Sequence, residues 1–265
     1  MSQQGKRMSS LQVLPGLFIS HGSPMVAIDP EQIGVALERI RHNLPTPKAI
    51  VVMSAHWESV GLEVSVASRP QTWHDFRGFP QALYEIQYPA PGEPELAEKI
   101  IQHLQDNGID AHANATRLRD HGVWVPLMHM YPEADIPIVQ ISLPMTYTAE
   151  QIYHVGELLA HLREQQILLI GSGSITHNLR ELVRHGEGDV PTWASEFRNK
   201  VVSHLQHSDY AAVLDWKNLP HVQRNHPTIE HFAPLFFAMG LGKRMNIVHA
   251  SFTMGALGMD IYRFD

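Results

Sequence analysis

Apolar residues along this chain alternate between two regimes: short continuous runs, and longer stretches with an apolar position every three or four residues. Residues 14–20 (LPGLFIS), 49–54 (AIVVMS), 136–143 (IPIVQISL) and 167–170 (ILLI) are compact apolar runs. They are rich in β-branched residues and bounded by Pro or Gly, the pattern of strands buried on both faces. Residues 62–67 alternate and predict a more exposed strand. Helical periodicity covers 31–42, where Ile33, Leu37 and Ile40 share one face, and 93–106, which opens near Pro94 and stops at Asn107-Gly108. Further helices are predicted over 149–165 and 192–205. Thr228 is placed to N-cap another through Phe232, Leu235 and Phe236 to Gly240. The tail, 244–252 and 256–262, reads as one or two closing strands. Strands alternating with helices predict an α/β fold. The expected form is a single domain, with a central mixed β-sheet flanked by helices on both faces and the late strands antiparallel. No linker or low-complexity tract divides the chain. A disordered or extended tail is expected over 1–12, with the folded domain over 13–265.

Composition narrows the chemistry. A formal charge of −7 without a Lys/Arg cluster argues against nucleic-acid or anionic-membrane partners. Cysteine is absent, which removes thiolate nucleophiles, Fe–S clusters and Cys-type zinc sites together. Any metal must therefore be held by His, Asp, Glu or water. The first residues lack the apolar core of a signal peptide. No apolar run approaches the ~20 residues of a membrane helix, so a cytoplasmic protein is expected.

The chain carries 18 His against 20 Lys+Arg, and position must decide which of them work. His21, His56 and His177 each follow a predicted strand, and open α/β sheets build their sites outside the carboxyl ends of their strands. Gly22 and Ser23 after His21 let backbone approach a bound group closely. His177 follows GSGSIT, which matches neither the phosphate-binding glycine motifs nor a serine-hydrolase elbow. It reads as a ligand or an acid/base group. Glu230 and His231 are neighbours near a helix start, about 100° apart in direction, so one of the two can face a metal and the sequence leaves the choice open. His121, in LRDHGVW, fits a pocket role or plain turn chemistry. His74, in WHDFRGFP, reads first as packing. The other histidines fall on helix faces or turns, His226 standing apart by its nearness to His231.

Seven segments in order carry a resemblance: HGSPM at 21–25, VVMSAHW at 51–57, HDF-x-GFP at 74–80, YPAPG at 88–92, DHGVW at 120–124, G-x-G…HNL at 171–179 and HPT-x-EH at 226–231. Together they resemble the class III extradiol ring-cleaving dioxygenases, in the bacterial 4,5-DOPA-dioxygenase-like branch. The resemblance spans about residues 14–240. It implies that His21, His56 and His231 hold a metal, with His177 beside it as acid/base or fourth ligand, and His121 as a second pocket histidine. It also selects His231 over Glu230, because the DOPA-type branch has a histidine where protocatechuate-cleaving relatives have a carboxylate. No separate organic cofactor is implied.

The implied chemistry is that of a non-haem Fe(II) site with a facial set of three protein ligands and open positions for a catechol and O2. Iron can pass electron density from the ring to dioxygen; zinc cannot. The Irving–Williams order makes such a histidine site bind Zn2+ more tightly, so isolated protein is expected to carry Zn(II) while Fe(II) supports activity. His177, with a near-neutral pKa, is expected to take and return a catechol proton. Glu58, Asp120 or Glu230 could orient ligand imidazoles. The expected product is a ring-opened semialdehyde. Two alternatives use the same ligands: a zinc-dependent hydrolase of an amide or ester, and a non-catalytic metal-binding homologue. Oxygen consumption separates them. The sequence names neither the physiological catechol nor the oligomeric state.

Overall fold

Among the described residues, eight strands form one sheet in the order β4-β3-β5-β2-β6-β1-β10-β7. They are β1 (Gly16–Ser20), β2 (Ala49–Ser59), β3 (Leu62–Ser65), β4 (Ala111–Asn114), β5 (Ile138–Pro144), β6 (Ile167–Gly173), β7 (Met245–His249) and β10 (Ile261–Phe264). A small ribbon, β8 (Phe252–Thr253) with β9 (Leu257–Gly258), stands apart. The computed structural model describes residues 13–183 and 189–265. The tail expected over 1–12, and His185, lie outside the described residues.

The four central strands, β5-β2-β6-β1, run parallel. β10 and β7 add antiparallel at one edge, and β3 is antiparallel to β5 at the other. This is the mixed sheet expected. Every residue of β1, β5 and β6 is buried, in keeping with their mostly apolar runs when both faces are covered. Alternate residues then serve opposite layers. Val51, Met53, Val139, Ile141 and Leu169 pack in a cluster with α3 (Pro94–Asp106), α5 (Ala149–Leu159), α6 (Thr192–Gln206) and α9 (Pro234–Gly240). Leu17, Ile19, Ile50, Val52, Leu168 and Ile170 pack with α1 (Glu31–Asn43) and α4 (His121–Met130) on the other face. Short helices α2 (Gln81–Glu85), α7 (Tyr210–Leu214) and α8 (Val222–Asn225) fill connections.

Four local departures from the sequence reading bear on the site. β2 does not stop at Ser54 but continues to Ser59. Its register with β5 breaks after Met53 and resumes at Glu58↔Leu143, so His56 sits inside the strand, on the irregular stretch, rather than beyond its end. α4 escapes periodicity because HGVWVPLMHM is buried on nearly every side, leaving no polar face, and Pro126 inside it reads as a breaker. The helix expected from Thr228 begins later, at Pro234 in the first turn. Thr228 Oγ1 instead donates to Glu230 at 3.0 Å, so His231 lies in a turn ahead of the helix. Finally, the helix expected over 149–165 is α only to Leu159 and tightens to a 3-10 turn over Ala160–Gln165.

Candidate metal centre

Each candidate histidine is delivered by backbone that the sheet fixes. His21 is the first residue past β1, and its N–H donates to Gly173 O at 3.0 Å, extending the β1–β6 pairing by one step. Gly22 then turns the chain at φ +71, a left-handed conformation that glycine adopts without strain. His56 is anchored at both backbone atoms: its N–H donates to Ser54 Oγ at 3.3 Å, and its carbonyl accepts from Arg117 at 2.9 Å. His121 is the first residue of α4. His177 sits in the loop after β6, its N–H donating to Asn225 O at 3.0 Å. His231 O accepts from Ser174 N–H at 2.8 Å, which ties that turn to the end of β6.

The five imidazoles converge. Ring centroids are 4.9 Å apart for His21–His56, 5.4 Å for His21–His231 and 4.9 Å for His56–His231. His121 lies 4.1 Å from His56 and 5.4 Å from His21. His177 is stacked on His231 at 3.5 Å and 7°. Among the described residues, two groups have ligand atoms within 4.8 Å of one another: His21–His56–His121, and His177–Glu230–His231. Geometry therefore brings all five predicted residues together, and brings His121 as close to His21 and His56 as a metal ligand must be.

Partners on the far ring nitrogens set which nitrogen faces inward. Ser172 Oγ donates to Gly122 O, so at its 3.0 Å contact with His21 Nδ1 it accepts. That leaves Nε2 of His21 with a free lone pair. Glu230 Oε1 takes Nδ1 of His231 at 3.1 Å, and Asp75 Oδ1 takes Nδ1 of His121 at 2.9 Å. Such outer partners orient ligand imidazoles and raise their basicity. Nε2 of His21 and Nε2 of His56 face each other at 3.0 Å. One of the two can donate to the other in the metal-free cluster, and an ion held between them would take both lone pairs. Burial, and then the neighbouring histidines, hold His21 and His231 well below the usual imidazole range; burial foremost takes His56 and His177 down to about 4. Neutral imidazoles with inward lone pairs are what a transition metal requires, and the donor set fits such an ion.

The near-neutral pKa expected for His177 is thereby corrected: burial makes it a neutral group throughout the physiological range. Of the three carboxylates expected to orient ligands, Glu230 bonds an imidazole. Asp120 is instead the hub of a buried network, accepting from Ser54 at 2.7 Å, from Arg117 at 2.7 Å and from Gln140. Glu58 makes no hydrogen bond to an imidazole among the described residues. Its carboxyl is raised by burial and by Glu230. Arg117 is flanked by the Trp57 and Trp73 rings, 5.0 and 4.9 Å from their centroids. His74 donates from Nε2 to Ile86 O at 3.0 Å and packs among Phe76, Tyr84 and Trp124, as its sequence context suggests. His226 bonds Ile175 O at 2.9 Å and packs on Phe197 and Phe232.

Two contributors escape sequence reasoning. Asp75 carries no signal of its own inside an aromatic loop, although the HDF motif contains it. Burial pushes its carboxyl up, but the His121 hydrogen bonds and the electrostatic pull of the His121 and His56 rings outweigh this and hold it below the usual range. Ser172 is silent because a serine in a glycine-rich strand end has no periodicity of its own.

Gly173 gives a first prediction. A Cβ there would lie 2.2 Å from His231 O, a backbone atom that cannot swing aside. Gly173→Ala should therefore displace His231, costing about 1–3 kcal/mol of stability and weakening metal retention about tenfold or more. Metal content after gel filtration, with a melting curve, checks this. Full retention would mean that the close approach does not set His231.

Fold and site together define a metal-dependent enzyme of the α/β class, with its centre outside the carboxyl ends of a parallel core. The chain belongs to the family of the catalytic LigB subunit of aromatic ring-opening dioxygenase, which it matches over residues 15–265. It is 38% identical over 236 residues to the 4,5-DOPA dioxygenase extradiol of Escherichia coli K12, covering 88% of this chain and 86% of that one. It is 40% identical over 255 residues to the Beta vulgaris protein of the same name, covering 93% and 95%. The crystal structure of an uncharacterized E. coli K12 protein superimposes with a TM-score of 0.80 at 30% identity, over 95% of this chain and 100% of that one. Membership makes the protein an extradiol ring-cleaving dioxygenase, a metal-dependent oxidoreductase that uses O2. No helix among the described residues is long and apolar enough to cross a membrane.

Proposed function

We propose that the protein opens the ring of a catechol of the 4,5-DOPA type, inserting both atoms of O2 to give a semialdehyde, with Fe(II) held by His21, His56 and His231. The observation that carries this is the convergence of neutral imidazoles with inward Nε2 atoms. Two imidazoles bound about 2.1 Å from one ion, at right-angled to tetrahedral spacing, place their centroids roughly 4.5–5.2 Å apart. The His21–His56–His231 edges of 4.9, 4.9 and 5.4 Å are close to that range, whereas the His56–His121 edge of 4.1 Å is tighter. His121 is accordingly assigned to the substrate side.

His177 is assigned as the proton handler. Its ring is parallel to His231 at 3.5 Å, so the two in-plane lone pairs lie in separate parallel planes and are poorly disposed to share one ion. Neutral at physiological pH, His177 can accept the proton of a catechol hydroxyl and later return it. His121, held at Nδ1 by Asp75, offers Nε2 to a substrate oxygen. When bound, Fe(II) supplies the electron path from ring to dioxygen and the open positions at which both are held. The carbon–carbon bond next to the hydroxyl pair breaks, both oxygen atoms enter the product, and it leaves as a carboxylate with an aldehyde.

The metal assignment is tested by loading. Apoprotein reconstituted anaerobically with Fe(II) should turn over catechols such as DOPA or caffeate when air is admitted. The same protein loaded with Zn(II) should bind its metal more tightly and consume no oxygen. Equal turnover by the two forms would contradict the iron assignment.

A further inference from the structure

Asp75 is bound to His121 twice through one atom. Its Oδ1 accepts the His121 backbone N–H at 2.9 Å and His121 Nδ1 at 2.9 Å. The carboxylate is buried, 6% exposed, so these bonds are not shared with bulk water. Its other oxygen stands 3.7 Å from His56 Nδ1, beyond hydrogen-bond reach, so the carboxylate is committed to His121.

The backbone behind this contact is laced in place. Thr72 and Arg119 form a parallel bridge, with Trp73 N–H to Arg119 O at 2.8 Å and Arg119 N–H to Gln71 O at 2.9 Å. Trp124, one turn into α4, donates from Nε1 to Trp73 O at 3.1 Å. Phe76, next to Asp75, sets its ring edge-on to His121, 5.7 Å away at 87°. The loop 71–76 thus holds His121 at the main chain, at Nδ1 and on its ring. Asp120, the residue before α4, makes no side-chain cap, so Asp75 takes the first N–H of the helix from outside it.

We propose that Asp75 is a positioning residue for ring opening: it holds the His121 imidazole in the Nδ1–H form with Nε2 turned to the substrate. This rests on the ring-opening reading above. A carboxylate on one imidazole nitrogen fixes the tautomer and orientation of the other. Helix capping alone would explain the backbone bond but not the second bond to the ring. A purely stabilising loop contact would act on stability irrespective of whether residue 121 is histidine.

The test pairs kinetics with a readout that needs no activity. Asp75→Ala in the iron-loaded enzyme should lower kcat about 10–100-fold while KM and metal content stay near those of the parent. Asp75→Asn keeps an Oδ1 able to accept both N–H groups and should recover most of that loss. In the His121→Ala background, Asp75→Ala should lower kcat no further, because its effect runs through the missing ring. Independently, 15N NMR of the apoprotein should show His121 as the Nδ1–H tautomer in the parent and in Asp75→Asn, and as a mixture in Asp75→Ala. An unchanged His121 tautomer in Asp75→Ala would overturn the proposal, as would an equal kcat loss in the His121→Ala background. Metal loss from Asp75→Ala as complete as from His56→Ala would also overturn it. If the parent turned over no catechol the ring-opening reading would fail, and the tautomer measurement would still decide whether Asp75 positions His121.

Discussion

His56→Ala should leave a folded protein that retains no metal. His56, like His21, is in contact with every other inward-facing ring except His177, and more closely: its centroid is 4.9 Å from His21, 4.1 Å from His121 and 4.9 Å from His231. It therefore belongs both to the proposed His21–His56–His231 site and to the His21–His56–His121 group. Losing an outer-sphere partner costs roughly 10–100-fold in metal affinity, and losing the ligand itself should cost more. The fold should survive, because the strand is held by its pairing with β5 and β6 and by the bonds of Arg117 and Ser54 to the His56 backbone, which alanine keeps. Metal-to-protein ratios after gel filtration, beside circular dichroism, measure both halves. The same assay divides the two possible third ligands. His231→Ala should lose metal with His56→Ala, and His121→Ala should retain it. The reverse outcome would place the ion among His21, His56 and His121.

The second large effect separates binding from chemistry. His177→Ala should retain most of its metal and lose about 10²–10⁴-fold in kcat, the usual worth of a positioned general acid or base. Stacking on His231 at 7° turns its lone pair away from that residue's ion plane, and burial, which takes its pKa to about 4, keeps it free of a proton until a catechol supplies one. Loss of metal as complete as in His56→Ala would make His177 a ligand and would leave the proton to another group.

The sheet was legible because its central strands are buried on both faces. Residues 49–54, 136–143 and 167–170 are mostly apolar, and they contribute to the adjoining strands β2, β5 and β6. The same logic hid α4, which is buried on nearly every side and so lacks the polar face that marks a helix. His21, His56, His177 and His231 could be picked out because strand ends and glycine-rich turns mark where an α/β site forms. Their unequal roles could not, since roles depend on which ring stacks on which, and on what the far nitrogen meets. Ser172, Asp75 and Glu230 meet those nitrogens from positions 151, 46 and 1 residues away along the chain. Of these, Glu230 was visible from the sequence because it is adjacent. His56 lies within β2, not beyond its end as the apolar run suggests. The break in pairing between Met53 and Glu58 lets β2 continue past it, and nothing in VVMSAHWES distinguishes a strand that ends from one that bulges and resumes.

The central claim is that this cluster opens a catechol ring with both atoms of O2. It is tested most directly by admitting air to protein reconstituted anaerobically with Fe(II), iron content verified, across a panel of catechols including DOPA and caffeate. The account predicts oxygen uptake equal to catechol consumed, with a yellow semialdehyde appearing in the same proportion. Iron bound and no uptake with any catechol of the panel would contradict it.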